Sequence, residues 1–291
     1  MTIRELLKQN TLSLSFEVFP PKTESGFDSV RTATEEIARL RPSFMSVTYG
    51  AGGGTSRYTL DIAKNIKEQY GVPTVAHLTC VSSTRATVAE KIAAIREAGI
   101  ENVLALRGDI PKGMADADRS EWDYRYAIDL IRELKAAGDF CVGGACYPEI
   151  HPESHNQAED IAHLKEKVDA GCDFLTTQMF FDNNLLYNFL YKIRQSGIDV
   201  PVIPGVMPIT NGNQVARAIQ LSGSFVPQRF KSLVDKFGDD PAAMKQAGIA
   251  YATDQIIDLY ANGITHVHVY SMNKPDVAAK ILDNLSDIIG K

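Results

Sequence analysis

The 291-residue chain has no run of about 18 or more consecutive apolar residues, so it offers no readable membrane helix. Its opening segment, MTIRELLKQN, lacks the apolar centre and small-residue cleavage site of a secretory leader, and a cytoplasmic protein is expected. A basic excess is missing too. Thirty Lys and Arg stand against 36 Asp and Glu, a formal net charge of −6, which removes the electrostatic footprint of a nucleic-acid binder. An anionic ligand would have to be met by a few local positive charges. Cysteine is scarce: Cys80, Cys141, Cys146 and Cys172 show neither CxxC nor zinc-ligand spacing, and free thiols are expected. No Ser/Pro-rich linker divides the chain. What remains, 44% hydrophobic and 23% charged, is an ordinary globular composition able to bury about three quarters of its unfolded surface.

Short runs rich in β-branched and aromatic residues alternate with stretches of helical periodicity. Eight strands are predicted: Leu12 to Phe19, Phe44 to Tyr49, Thr74 to Cys80, Asn102 to Gly108, Cys141 to Tyr147, Phe174 to Phe181, Val202 to Met207 and His266 to Ser271. Between them the pattern predicts helices over Ser29 to Leu40, Thr59 to Gln69, Thr84 to Ala98, Trp122 to Ala137, Gln157 to Ala170 and Asn183 to Gln195. Gly71, Gly99, Gly138, Gly171 and Gly197 sit where helix C-caps belong. Eightfold alternation predicts an α/β fold, a single (β/α)8 TIM barrel over residues 1–291, with a doubly wound open sheet as the alternative. Extra helices are expected between strands seven and eight: Val226 to Phe237, then one opened by Asp240 and Pro241 and running to about Ala261.

Side chains alternate along a strand, so strand phase predicts which residues enter the barrel. Strand one places Leu12, Leu14, Phe16 and Val18 outward and Ser13, Ser15 and Glu17 inward. The same test puts His77 and Thr79 inward on strand three, and Val103, Ala105 and Arg107 inward on strand four with Leu104 and Leu106 outward. Tyr147 ends the inward set of strand five, Thr176 and Gln178 share that phase on strand six, and His266 and His268 share it on strand eight. Ionisable residues thus gather at the C-terminal end, where barrel active sites are built, and burying them there without a use would be costly.

Glu17, before the rigid Phe19-Pro20-Pro21, is a candidate proton donor if apolar surroundings raise its pKa; the alternative is an ion pair with Arg107 across the mouth. Arg107 and Asp109, separated by Gly108, could clamp a ligand or pair with each other. His266 and His268, and His151 and His155, have spacings that invite a metal, but no carboxylate set completes a zinc pattern, and none is expected. The Gly50 to Ser56 loop fits a dinucleotide fingerprint poorly and is read as a mouth loop. Asp160, His163 and Lys167 form one stripe of the helix after strand five, opposite Ile161, Leu164 and Val168.

Read together, the segments SFEVFPPKT, SVTYGAGG, AHLTC, LALRGD, CYPEIHPE, LKEKVDAG, TTQMFFD, PGVMPI and VHVYSMNK resemble the methylenetetrahydrofolate reductase family from about Leu12 onward. The likeness is to the short bacterial form, without the regulatory region of eukaryotic members. It implies a barrel holding non-covalent FAD, with NADH or NADPH and a folate as co-substrates in a ping-pong hydride transfer through flavin N5 that yields methyl groups for methionine synthesis. By match to the family motifs, Glu17 would be the general acid, and Asp109 would contact the pterin and tune the flavin. Gln178, Gln214 and Lys274, with Asp109, would hold the folate. The positions matching FAD contacts are Thr48, Tyr49, Ala51, His77, Arg107, Gly108, Asp109, Ala127, Tyr147, His151, Asp160, His163 and Lys167. Ala218 stands where some relatives carry an aromatic residue, and a homo-oligomer is expected. The competing readings are another flavin barrel, of the proline-dehydrogenase type, a metal-dependent hydrolase using His77, His151 and the strand-eight histidines, and a binding scaffold.

Overall fold

The structure is a computed structural model that describes residues 1–9, 11–21, 23–49, 56–110 and 122–290. All its strands lie parallel in one sheet: β1 (Ser13–Val18), β2 (Met45–Val47), β3 (Thr74–Thr79), β4 (Asn102–Leu106), β5 (Cys141–Cys146), β6 (Phe174–Thr177), β7 (Val202–Ile203), β8 (Gly205–Val206) and β9 (His266–Tyr270). Their order runs β7-β6-β5-β4-β3-β2-β1-β9-β8. β7 and β8 are the two halves of one predicted strand, interrupted at Pro204, which has no N–H to give a ladder. The Pro204 carbonyl still accepts from His268 N at 2.9 Å. With the halves rejoined there are eight strand positions, and the ring closes as a TIM barrel.

Helices cover the outside, with α2 (Phe27–Arg39), α3 (Ser56–Tyr70), α4 (Arg85–Glu97), α5 (Ala127–Ala137), α6 (Gln157–Asp169) and α7 (Asn183–Gln195) following the strands in turn. Leu14, Phe16 and Val18 of β1, outward as predicted, join Ile37, Ile66, Ile92 and Leu134 from these helices in the main hydrophobic core. The predicted helix from Trp122 begins only at Ala127. Before it, the Arg125 and Tyr126 amides both donate to the Asp129 carboxylate at 2.9 and 3.1 Å, so this stretch caps the helix from outside. The predicted start at Asp240-Pro241 holds: Asp240 accepts from the Ala242 and Ala243 amides, and the helix runs Pro241–Ala261. Three helices were not among those read from the sequence, α1 (Ile3–Leu6), α8 (Asn213–Ser222) and, after β9, α11 (Pro275–Ile289); α9 (Gln228–Phe237) and α10 (Pro241–Ala261) lie between the last two. Among the described residues no helix is long and apolar enough to cross a membrane, and all four cysteines are free and buried.

The lower half of the barrel interior is solid. Ile3 and Leu6 of α1 enter from below and pack with Phe44, Val75, Leu104, Phe174 and Ile203. Asn102 holds α1 in place by accepting from Ile3 N at 2.8 Å. Gly143 on β5 faces the ring of Phe174, and a Cβ there would collide with that ring, so glycine makes room for the aromatic plug.

Strand four corrects the predicted phase. Leu104 faces inward, in register with His77, while Val103 and Ala105 point outward into the helix-covered core. Apolar residues occupy both faces of this strand, so hydrophobicity carries no phase there. The prediction relied on Arg107, which lies beyond the strand end, where Gly108 turns the chain with φ +90° and breaks the alternation.

Candidate functional site

Above the solid half the barrel opens into a cavity of about 1900 Å³ at the C-terminal ends of the strands. That is larger than the roughly 300–1,000 Å³ of a typical small-molecule pocket, and suits an extended ligand together with a second flat one. Fifteen of the predicted site residues line it, from Glu17 on β1 round to Gln178 after β6 and Gln214 on α8. Lys274 does not line it; the residue opens α11, and its ammonium donates to Thr210 Oγ1 at 2.6 Å. Ala51 and the rest of the predicted glycine loop up to Thr55, like the side chain of Ala218, lie outside what the structure describes.

At the floor of the cavity stands Glu17, in register with Ser46 of β2 and Tyr270 of β9. Its carboxylate oxygen is 3.7 Å from His77 Nε2, and the 21% of its side-chain surface that stays open faces the cavity. Burial pushes the carboxyl up to about 8, opposed by a hydrogen bond with the Ser46 hydroxyl. Burial drives His77 the other way, down to about 3, and its Nε2 has no hydrogen-bond partner. At neutral pH the two groups are therefore a protonated acid and a neutral imidazole, so their proximity is not an ion pair. The alternative partner for Glu17 is engaged elsewhere: Arg107 Nη1 bonds Glu153 Oε2 at 2.5 Å. His268, pushed down to about 3 by burial, bridges Ser15 Oγ at 2.7 Å and Ser46 Oγ at 2.9 Å. His266 bonds Ser13 Oγ at 2.6 Å, so the two strand-eight histidines hold serines. Among the described residues no group of three or more His, Cys, Asp or Glu is arranged to hold a metal ion.

The wall over β4 to α6 is built from short, local devices. Gly108 can only be glycine, because a Cβ there would sit 2.9 Å from both Thr79 and Val81 as well as at positive φ. Asp160, in the first turn of α6, accepts from His151 N and from the Ser154 hydroxyl, both at 3.2 Å, which folds the β5–α6 loop back over the cavity. His151 in turn meets the Tyr147 ring edge-on, with ring centres 4.7 Å apart. The amphipathic reading of α6 holds: Ile161 and Leu164 are buried in the core, while Asp160, His163 and Lys167 face the cavity. Burial holds the Lys167 ammonium below its usual range, and it donates to the Ala145 carbonyl at 2.6 Å. Across the cavity Tyr49 presents a buried hydroxyl with no partner, and Lys91 Nζ lies 4.9 Å from the centre of its ring.

Sequence reasoning missed Ser46 and Tyr270, although both stand level with Glu17 across neighbouring strands and the same alternation test would have found them. It also missed the loop after β9. Met272 and Asn273 there have φ of 53° and 52°, a left-handed conformation that costs a non-glycine residue about 1–2 kcal/mol and that Asn tolerates better than Met. No local pattern announced it.

Closed barrel, solid base and a hollow mouth in which polar groups, among them the uncharged buried acid Glu17, stand among apolar ones together define an enzyme-like TIM barrel of the ligand-enclosing kind. The solved structures that it resembles agree in fold. One is a Clostridium thermocellum protein described as binding two copies of 5-methyl-5,6,7,8-tetrahydrofolic acid, with a TM-score of 0.65 at 12% identity over 99% of this chain and 100% of that one. Another is an oxaloacetate acetylhydrolase, TM-score 0.56 at 14% identity over 100% of this chain and 87% of that one. The sequence profile of the methylenetetrahydrofolate reductase family matches residues 2–286, and the chain belongs to that family. A 5,10-methylenetetrahydrofolate reductase of Pectobacterium carotovorum is 34% identical over 95% of this chain and 91% of its own length. The Escherichia coli K12 protein of that name is 33% identical over 95% and 92%. Methylenetetrahydrofolate reductase (NADH) 1 of Arabidopsis thaliana is 35% identical over 97% of this chain but 50% of its own length, so the chain spans about half of such plant relatives.

Proposed function

We propose that the chain reduces 5,10-methylenetetrahydrofolate to 5-methyltetrahydrofolate at the expense of NADH or NADPH, with non-covalent FAD, in a step that supplies methyl groups for methionine synthesis. The observation that carries the reading is Glu17, a carboxyl raised to about 8 on the floor of a large cavity beside a neutral, unpartnered histidine. Opening the five-membered ring of the folate needs a proton at neutral pH, and a protonated, buried carboxylic acid is the group that can give one.

The residues present suit a flavin dinucleotide. Two buried polar atoms, His77 Nε2 and the Tyr49 hydroxyl, have no protein partner. Gly108 permits close backbone approach, and Thr48, Arg107, Ala127 and Tyr147 continue the same wall. His151, Asp160, His163 and Lys167 would take the polar tail along α6, with the Lys167 ammonium as its local positive charge. Bound there, flavin supplies the hydride relay between nicotinamide and folate. The two co-substrates would share one cavity in turn, hence a ping-pong scheme. Asp109, exposed at the rim, would favour the cationic folate formed on ring opening, Gln178 and Gln214 would orient the ring system, and Lys274 would meet the glutamate carboxylate.

Two measurements test this. The purified protein should show flavin absorption bands, and stopped-flow traces should show two separable half-reactions, bleaching by reduced nicotinamide and recovery on adding the folate. A colourless protein that gains no bands with added FAD would sink the reading.

A further inference from the structure

β1 ends at Val18 and is followed by Phe19 and two prolines, so Phe19 holds the last backbone N–H before a stretch that has none to offer. The Thr48 amide just after β2 still holds the Val18 carbonyl at 2.9 Å, so the next residue, Phe19, has to be held in another way. The loop after β9 does so with side chains. Asn273 Oδ1 accepts from Phe19 N and Asn273 Nδ2 donates to Phe19 O, both at 2.9 Å, so one amide takes both backbone groups of a single residue. Ser271 Oγ donates to the carbonyl of Glu17 itself at 2.6 Å. The same loop keeps Met272 and Asn273 left-handed, and its Met272 side chain lines the cavity. Strain in a short segment that grips the catalytic strand end has a use only if the grip matters.

We propose that Asn273, with Ser271, is a positioning residue for Glu17: it locks the end of β1 so that the carboxyl stays inside the barrel among Ser46, His77 and Tyr270. The inference rests on the role of Glu17 proposed above. The titratable groups that face Glu17 are His77 from β3 and His268 and Tyr270 from β9; Asn273 adds no charge, and its effect is one of place.

The test uses Asn273→Gly, which deletes the amide while suiting the left-handed backbone. Asn273→Asp, which keeps the acceptor and loses the donor, decides the matter if the glycine variant does not fold. Recovery of flavin colour on adding the folate should slow by about 10- to 100-fold, the scale of a roughly 1 Å misplacement, while bleaching by reduced nicotinamide changes less than about 2-fold. Independently of turnover, the infrared band of the Glu17 carboxyl, isolated by subtracting the Glu17→Gln spectrum, should titrate near 8 in the parent protein and markedly lower in the variant. Equal losses in both half-reactions, or an unmoved carboxyl midpoint, overturn the inference. A parent protein with no folate reduction overturns the proposed function instead, and the infrared midpoint still decides whether Asn273 holds Glu17 in place.

Discussion

The two halves of the barrel interior are made by the same strands and have opposite characters. On β3, Val75 faces the lower half and His77 the upper; on β6, Phe174 fills the lower half and Thr176 lines the upper. Below, the inward positions close on the α1 plug, and Phe44, Val75, Leu104 and Phe174 at its top are also the lowest lining of the cavity. Above, they hold an acid and two histidines that burial keeps uncharged. The lower half is a core in the ordinary sense, stabilised by apolar burial. The upper half gives up stability to keep groups whose ionic forms are unfavourable there, and that difference marks where function was placed.

This contrast can be broken at either end. The largest expected effect is chemical: Glu17→Gln should slow folate reduction by about 10²- to 10⁴-fold while leaving reduction of the flavin by nicotinamide nearly intact, read by stopped-flow absorbance. Comparable loss in both half-reactions would make Glu17 a cofactor-holding or structural residue. In the lower half, Phe174→Ala should cost about 3–5 kcal/mol in urea unfolding, because Gly143 beside it cannot fill the space. Ile3→Ala, which thins the plug without removing it, should cost about 2–3 kcal/mol by the same measurement.

The upper half should respond in the opposite sense and with pH. Glu17 releases its proton near 8 when folded and near 4.3 when unfolded, so between these values the folded state holds a proton that the unfolded state has lost. Wild-type stability therefore falls as pH rises through this window, then levels. Glu17→Gln has no such proton, and its melting temperature should overtake that of the wild type progressively from about pH 4.5 to about pH 8. A constant difference across that range would mean that Glu17 is not shifted. The smallest effect is expected outside the cavity, where Lys274→Ala should raise KM for the folate about tenfold with kcat little changed, since a charged hydrogen bond made equally in ground and transition states is lost.

The fold was legible because its signals are local. Alternation along β1 separated Leu14, Phe16 and Val18 from Ser15 and Glu17, and the Asp240-Pro241 pair marked the start of α10. Strand four was misread because Leu104 and Ala105 are both apolar, leaving only Arg107, which the turn at Gly108 had already put out of phase. The site was legible in membership more than in arrangement. Glu17, His77 and Lys167 were each identifiable from strand or helix phase, whereas Arg107 reaches the cavity from beyond its strand end, and whether it paired with Glu17 was undecided until Glu153 was seen to hold that guanidinium.

Taken by itself, the sequence determined the order of strands and helices, the lack of a basic excess or a long apolar run, and, on strands where apolar and polar residues alternate as on β1, which residues point towards the barrel mouth. Each of these depends on neighbours a few residues apart, through side-chain alternation, capping and helical periodicity. Only the tertiary structure decided that the acid is uncharged, that Arg107 is held by a residue 46 positions away, and that Asn273 grips a strand end 254 positions away. Those outcomes depend on desolvation and on hydrogen bonds between segments that become neighbours only when the barrel closes, and no periodicity along the chain records them.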